Sequence, residues 1–225
     1  MDDDIVRSAP LFAALDEGAA SSLRQSMVEV NLGRSETLFD EGDQGDQLYV
    51  IVEGKIKLGR ASGDGRENLL AVLGPGEMFG ELSLFDPGPR SATVTAVTDC
   101  VFQSLSNEEL GRWLNGRPEV ARGLLVQLAG RLRKANDVVA DLVFSDVPGR
   151  VAKALLDLSS RFGKVADDGI HVHHDLTQEE IAQLVGASRE TVNKALADFA
   201  SRGWLRLEAR SVVIMDVERL KRRAR

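Results

Sequence analysis

The chain has 225 residues, 43% of them apolar, and a formal net charge of −7. That length suits two small domains with separate cores. The short apolar runs and the acidic start Met1-Asp2-Asp3-Asp4 predict no membrane span and no export, hence a cytoplasmic protein. The single cysteine, Cys100, excludes an internal disulfide, an iron–sulfur cluster and a cysteine-rich zinc site, and reads as a small buried strand residue. Charge is uneven, with 14 basic against 23 acidic residues over 1–145 and 14 against 12 over 146–225. Nucleic acid is therefore to be sought in the second half, where basic side chains can cluster on one face.

Residues 5–27 carry a helical pattern (Leu11, Phe12, Leu15, Leu23, Met27) broken around Asp16 to Gly18. From Val28 onward short β-prone runs follow, at Leu38-Phe39, Leu48 to Val52, Ile56 to Leu58, Leu69 to Leu73, Ala92 to Ala96 and Cys100 to Leu105. Turn formers such as Gly42-Asp43, Glu53-Gly54 and Gly74-Pro75-Gly76 separate them, which predicts an antiparallel sandwich or roll. Ser106-Asn107-Glu108-Glu109 reads as a helix cap.

A long helix is expected from Pro118 to Phe144, opened by a proline at a position where its missing N–H costs nothing. Ala121, Leu125, Leu128, Leu132, Ala135, Val139 and Leu142 alternate by four and three, the seam of a coiled coil. At ~1.5 Å per residue such a helix is roughly 40 Å long, which a small domain does not cover on every side, so a parallel homodimer through 118–145 is expected. The alternative is an ordinary core helix of a monomer. A second row, Val120, Leu124 and Val138, is placed to dock on the preceding domain.

Asp146-Val147-Pro148-Gly149 reads as a hinge, followed by a helical pattern from Val151 to Phe162 that Gly163 closes. A polar loop and a short strand, Ile170 to His174, come next. His171 and His173 fall on one face of that strand with His174 beside them, but no acidic or cysteine partner stands at a ligand spacing, so they read as exposed strand histidines and no metal is expected. Thr177-Gln178-Glu179-Glu180 is a capping box for a helix running to about Val185; Gly186 turns the chain and Ser188 caps a second helix. Its inward face is Val192, Ala195, Leu196 and Phe199, while Arg189, Glu190, Asn193 and Lys194 lie opposite. Helix, glycine turn, helix is the form that places a second helix in the major groove of double-stranded DNA. Arg189 suits guanine, Glu190 cytosine, Lys194 a guanine or phosphate, and Ser188 and Thr191 phosphate oxygens; Thr177 and Asn193 are counted with them as DNA-binding residues. Trp204 to Leu207 and Ser211 to Met215 read as a hairpin wing, and the basic tail from Arg219 is either a DNA contact or a solvated terminus.

Before the long helix, Gly80-Glu81-Leu82 and Arg90-Ser91 flank Asp86-Pro87-Gly88-Pro89. Glycine lets an anion approach the backbone, and an arginine held by a turn supplies a planar fork, so this reads as a phosphate site in which Glu81 can accept from a ribose hydroxyl; the alternative is a surface ion pair of glutamate and arginine. This cassette, the long helix and Ala187-Ser188-Arg189-Glu190-Thr191-Val192 together resemble the cyclic-AMP receptor protein/FNR family of bacterial transcription regulators over nearly the whole chain. Phe85 to Arg90 and Val147-Pro148-Gly149-Arg150 are most similar to its actinobacterial branch.

The resemblance implies an α+β protein: an N-terminal antiparallel β-roll that binds cyclic nucleotides (1–117), a dimerisation helix (118–145) and a C-terminal winged helix-turn-helix (146–225). It implies that Gly80, Leu82, Arg90 and Ser91 hold the phosphate of cyclic AMP, that Glu81 takes the ribose 2′-OH, and that RNA polymerase is a partner. Where the family presents threonine and then serine or asparagine to adenine, this chain has Ala135-Asn136, so one hydroxyl is lost. The expected function is a cyclic-AMP-controlled regulator reading a two-fold TGTGA-like site. Its rivals are a regulator or architectural protein active without ligand, and an enzyme acting on nucleotides, for which no nucleophile–base pair or paired carboxylates are found.

Overall fold

The computed structural model describes residues 5, 9, 12, 15–63, 67–86, 88–115 and 117–225. The helical expectation over residues 5–15 lies largely outside them. The chain divides into two compact units, Met1–Arg60 with Leu70–Lys134, and Ala61–Leu69 with Ala135–Arg225.

In the first unit, α1 (Glu17–Gln25) starts where the pattern breaks, because the Asp16 carboxylate accepts from Ala19 N at 2.8 Å as its N-cap. Among the described residues eight strands follow α1 in the chain: β1 (Val28–Leu32), β2 (Thr37–Phe39), β3 (Gln47–Glu53), β4 (Ile56–Ala61), β5 (Glu67–Leu73), β6 (Met78–Phe79), β7 (Thr93–Ala96) and β8 (Cys100–Ser106). They form two sheets, ordered β1-β8-β3-β6 and β2-β7-β4-β5. The continuous apolar run of β3 is explained by burial on both faces. Leu48, Val50 and Val52 join a core with Leu23, Leu105, Trp113, Val120 and Leu124, while Tyr49 and Ile51 join a second core with Ile56, Phe79, Val94 and Phe102. Tyr49 stacks on Phe79 at 5.1 Å, and Phe102 meets Phe79 edge-on at 5.5 Å.

Helix α2 (Leu82–Phe85) is a short turn after β6, and α3 (Asn107–Leu114) has the expected Ser106 cap, its hydroxyl accepting from Glu109 N at 3.2 Å. The long helix α4 runs over Pro118–Phe144, 27 residues. Of its second apolar row Val120 and Leu124 are fully buried, but Val138 is exposed, so that row docks only over its first turns. Along the seam Leu125, Leu132, Val139 and Leu142 are 60%, 64%, 62% and 51% exposed in the single chain.

The second unit holds α5 (Val147–Phe162), β9 (Gly163–Ala166), β10 (Gly169–Val172), α6 (Gln178–Val185), α7 (Arg189–Ser201), β11 (Leu205–Glu208), β12 (Ser211–Ile214) and α8 (Val217–Arg223). The expected hinge is shorter than its sequence suggests. Val147 to Gly149 form the first turn of α5, capped by Asp146, whose Oδ1 accepts from Gly149 N at 2.9 Å, so only Ser145 and Asp146 separate the helices. Arg150 donates to Ser145 O at 2.7 Å and Val185 O at 3.0 Å, satisfying carbonyls at the ends of α4 and α6. Arg223 of α8 donates to Asp146 Oδ2 at 2.5 Å and pulls that carboxyl below its usual range. The sheet is ordered β11-β12-β10-β9. Strand β9 replaces part of the expected polar loop, because Val165 pairs with Ile170 at the sheet edge. No described helix is long and apolar enough to cross a membrane.

Candidate nucleotide pocket and nucleic-acid interface

Gly80 ends β6 with φ of 83°, and a Cβ there would lie 2.8 Å from Gln47 O and 2.9 Å from Arg90 Nη1, so only glycine fits. Arg90 is 6% exposed. Its Nη1 donates to Gly80 O at 3.2 Å and Nη2 to Gln47 O at 2.9 Å, while the guanidinium carbon sits 4.2 Å from the Phe39 ring centroid. Burial pulls its pKa below the usual value, against which Tyr49, Asp46, Asp43 and Glu81 act. Gly45 faces the same guanidinium, since a Cβ on it would lie 2.5 Å from Ser83 Oγ and 2.6 Å from Arg90 Nε. Ser91 follows and is exposed, as is Leu82.

Glu81 is 1% exposed. Its Oε1 is paired with Arg131 Nη1, and Arg131 Nη2 donates to Met78 O, so this carboxylate has a cationic partner from the long helix. Sequence reasoning missed Arg131. Its signal was a basic residue one turn before Ala135 on the helix already implicated in base contact. Two buried atoms here have no hydrogen-bond partner among the described residues, the acceptor Glu81 Oε2 and the donor Arg90 Nε. Such atoms cost ~1–3 kcal/mol each when left unmade. A ligand bringing one hydroxyl and one anionic oxygen satisfies both, and a ribose joined to a phosphate carries that pair. Ala135 and Asn136 are exposed on α4, one helical turn beyond Arg131.

In the second unit the expected capping box is present. Thr177 Oγ1 accepts from Glu180 N at 3.2 Å and Glu180 Oε2 accepts from Thr177 N at 2.7 Å. Gly186 is left-handed, with φ of 68°. Ser188 caps α7, its Oγ accepting from Thr191 N at 3.3 Å and lying 2.8 Å from Thr191 Oγ1. The buried face of α7 is Val192, Ala195, Leu196 and Phe199, as the periodicity requires. Thr177, Ser188, Arg189, Glu190, Thr191 and Lys194 are exposed and Asn193 is half-buried. Glu190 and Lys194 are joined at 2.7 Å, so the two do not offer independent contacts in the free chain.

The histidines correct one expectation. His174 is not an exposed strand residue; it is 2% exposed and its Nδ1 accepts from Leu176 N at 3.0 Å. His171 Nε2 lies 2.6 Å from Asp168 Oδ1, and Arg206 reaches Oδ2 at 2.9 Å; these two hydrogen bonds bring the Asp168 carboxyl down to about 2. Among the described residues no group of three or more His, Cys, Asp or Glu is arranged to hold a metal.

A buried arginine and glutamate closing a glycine turn on a β-roll, with a capped helix-turn-helix in a second unit, define a cyclic-nucleotide-binding transcription regulator. Known families agree: "Cyclic nucleotide-binding domain" matches residues 29–116 and "Crp-like helix-turn-helix domain" residues 149–223. The chain is 55% identical over 223 residues to a CRP-like cAMP-activated global transcriptional regulator of Mycobacterium tuberculosis, covering 99% of this chain and 100% of that one. It is 38% identical over 184 residues to the cyclic AMP receptor protein of Thermus thermophilus, covering 82% of each. The solved structure of the Thermus thermophilus catabolite activator protein matches with a TM-score of 0.56 at 35% identity, over 96% of this chain and 98% of that one. The chain belongs to the cyclic-AMP receptor protein family of transcription regulators, and its relatives are not enzymes.

Proposed function

We propose that the chain is a homodimeric regulator whose DNA binding is controlled by cyclic AMP, with the sensor over 1–117, the dimerisation helix over 118–145 and the reader over 146–225. The observation that carries the reading is the buried pair of unmatched atoms, Glu81 Oε2 and Arg90 Nε. In this reading Arg90, Ser91 and the backbone at Gly80 and Leu82 bind the cyclic phosphate, Glu81 accepts from the ribose 2′-OH and Asn136 meets the adenine. The dimer acts in the cytoplasm with RNA polymerase as partner. Titration of DNA binding with and without cyclic AMP tests it: affinity for the operator rises with the nucleotide, and a flat titration overturns the control.

The DNA site is a two-fold repeat of TGTGA-like half-sites about one helical turn apart. Arg189→Ala is expected to cost ~1–3 kcal/mol and to relax selection of the matching guanine. An unchanged ratio between operator and scrambled DNA would remove Arg189 from the reading role.

Ala135 favours a second reading, in which the regulator is active before ligand arrives. A neutral hydrogen bond contributes ~0.5–1.5 kcal/mol, so the missing hydroxyl weakens adenine binding by up to roughly tenfold. The same small residue sits in the helix seam, where close packing can populate the active arrangement unaided. Ala135→Thr separates the two. Tighter cyclic AMP binding in calorimetry, with more ligand-dependent DNA binding, is expected from the first. Loss of ligand-free DNA binding at unchanged nucleotide affinity is expected from the second.

A further inference from the structure

We propose that Asp43 and Asp46, on the loop packed against Arg90, set the charge of the pocket so that it takes a monoanionic cyclic phosphodiester in preference to the dianionic 5′-monophosphate of the same nucleoside. The inference rests on the cyclic-nucleotide reading of the pocket and deepens it.

The first observation is what the buried arginine has left to offer. Nη1 and Nη2 of Arg90 each have a backbone carbonyl as acceptor, Gly80 O and Gln47 O, and Nε is its atom without a partner among the described residues. Arg131 is paired with Glu81, whose Oε2 is the unmatched acceptor. One cationic donor beside one anionic acceptor suits a ligand with a single negative charge next to a hydroxyl.

The second observation is the acidic loop 40–46 between β2 and β3, which is fastened to Arg90. Arg90 N donates to Asp43 O at 2.7 Å, Gly42 N donates to Arg90 O at 2.9 Å, and Gln44 bridges to Pro89. Gly45 presses on the guanidinium itself, since a Cβ there would lie 2.6 Å from the unmatched Nε. Asp46 adjoins Gly45 and Asp43 stands two positions before it, so the same turn carries both to the edge of the phosphate site. Burial lowers the Arg90 pKa, and Tyr49, Asp46, Asp43 and Glu81 oppose it, the response of a guanidinium to acidic groups within reach. Glu41 of this loop is neutralised by Arg60 at 2.5 Å. Asp43 and Asp46 are exposed, and among the described residues neither has an ion-pair partner within 4.0 Å. Asp43 Oδ2 accepts only a backbone N–H, from Asp40 at 2.8 Å.

These two carboxylates repel every anion, but not equally. A cyclic phosphodiester carries one negative charge, and a phosphomonoester carries ~1.5–2 near pH 7. In water, two unit charges roughly 7 Å apart change an equilibrium by about threefold. Both aspartates together therefore oppose a monoanion by about tenfold and a dianion by about a hundredfold. The difference favours the cyclic ligand independently of its ring shape.

The test compares three ligands on the full-length protein: cyclic AMP, 5′-AMP, and the methyl ester of 5′-AMP, which is a monoanion with an open phosphate. Cyclic AMP is titrated by calorimetry, and the other two compete against it. The double variant Asp43→Asn with Asp46→Asn removes both charges and keeps an oxygen to accept from Asp40 N. It is expected to bind cyclic AMP and the methyl ester about tenfold more tightly and 5′-AMP about a hundredfold more tightly at low salt. Asp46→Asn alone is expected to give about threefold and about tenfold, while Asp46→Glu keeps the parent's preference. Salt at about 1 M should narrow the gap between parent and double variant. Equal changes for cyclic AMP and 5′-AMP, or a methyl ester that gains as much as 5′-AMP, would overturn the charge role and leave the cyclic AMP reading intact. Failure of 5′-AMP to compete in parent and variants alike would overturn it too, because shape alone would then decide. A parent protein that does not bind cyclic AMP would overturn both.

Discussion

Leu132→Glu is expected to convert the proposed dimer to monomer, or to unfold it, at concentrations where the parent is expected to sediment as a single dimeric species. Leu132 is 64% exposed in the single chain, in line with Leu125, Val139 and Leu142 on one helix of 27 residues. A row of large apolar side chains of this length, exposed on one face, is the kind of patch that marks an interaction surface. Pairing two copies along it removes that surface at ~25 cal/mol per Å², which is the drive for association. In a parallel pair Leu132 faces its own copy, so glutamate places two like charges together with no partner, at a penalty of several kcal/mol per buried charge. Leu132→Ala leaves a cavity and no charge, and is expected to weaken the dimer without abolishing it. Sedimentation showing an intact Leu132→Glu dimer would refute the seam.

Arg90→Ala is expected to lower cyclic AMP affinity by about two orders of magnitude, since charge-assisted hydrogen bonds contribute ~1.5–3 kcal/mol each and this guanidinium provides the pocket's unmatched donor. From the residues alone this charge serves the ligand and not the core, and the variant is expected to stay folded; the structure gives Arg90 a share in stability as well. Arg90 is buried and holds Gly80 O at 3.2 Å and Gln47 O at 2.9 Å, so alanine strips two carbonyls of their donors. A lower melting temperature is expected alongside the lost binding. Arg90→Lys keeps the charge but not the fork, and should recover part of the stability and little of the affinity. Calorimetry of a folded Arg90→Ala protein with unchanged nucleotide affinity would remove this residue from the site.

Local chemistry made most of the second unit legible. Thr177 with Glu180, Gly186 and Ser188 act within three or four residues of themselves, and each takes the capping or turning role its residue type prefers. Pro118 and the four-three repeat likewise delimit the long helix without help from distant contacts. The cassette at Gly80 and Arg90 reads as a phosphate site only in company with the long helix and the Ser188-Arg189-Glu190 motif, because a glutamate and an arginine so spaced also suit a surface ion pair.

What only the tertiary structure decided involves residues far apart in the chain. Arg131 meets Glu81 across 50 positions, and no spacing rule announces a pair formed by folding a helix against a roll. Val138 continues the pattern of Val120 and Leu124 yet stays exposed, because periodicity defines a face and not how far the neighbouring domain extends along it. Strand β9 exists through its partner β10 at the sheet edge, where its own residues carry weak propensity. Arg210 shows the same limit: its left-handed backbone, with φ of 57°, accepts from Asp175 N at 2.9 Å, a partner far from it in the chain.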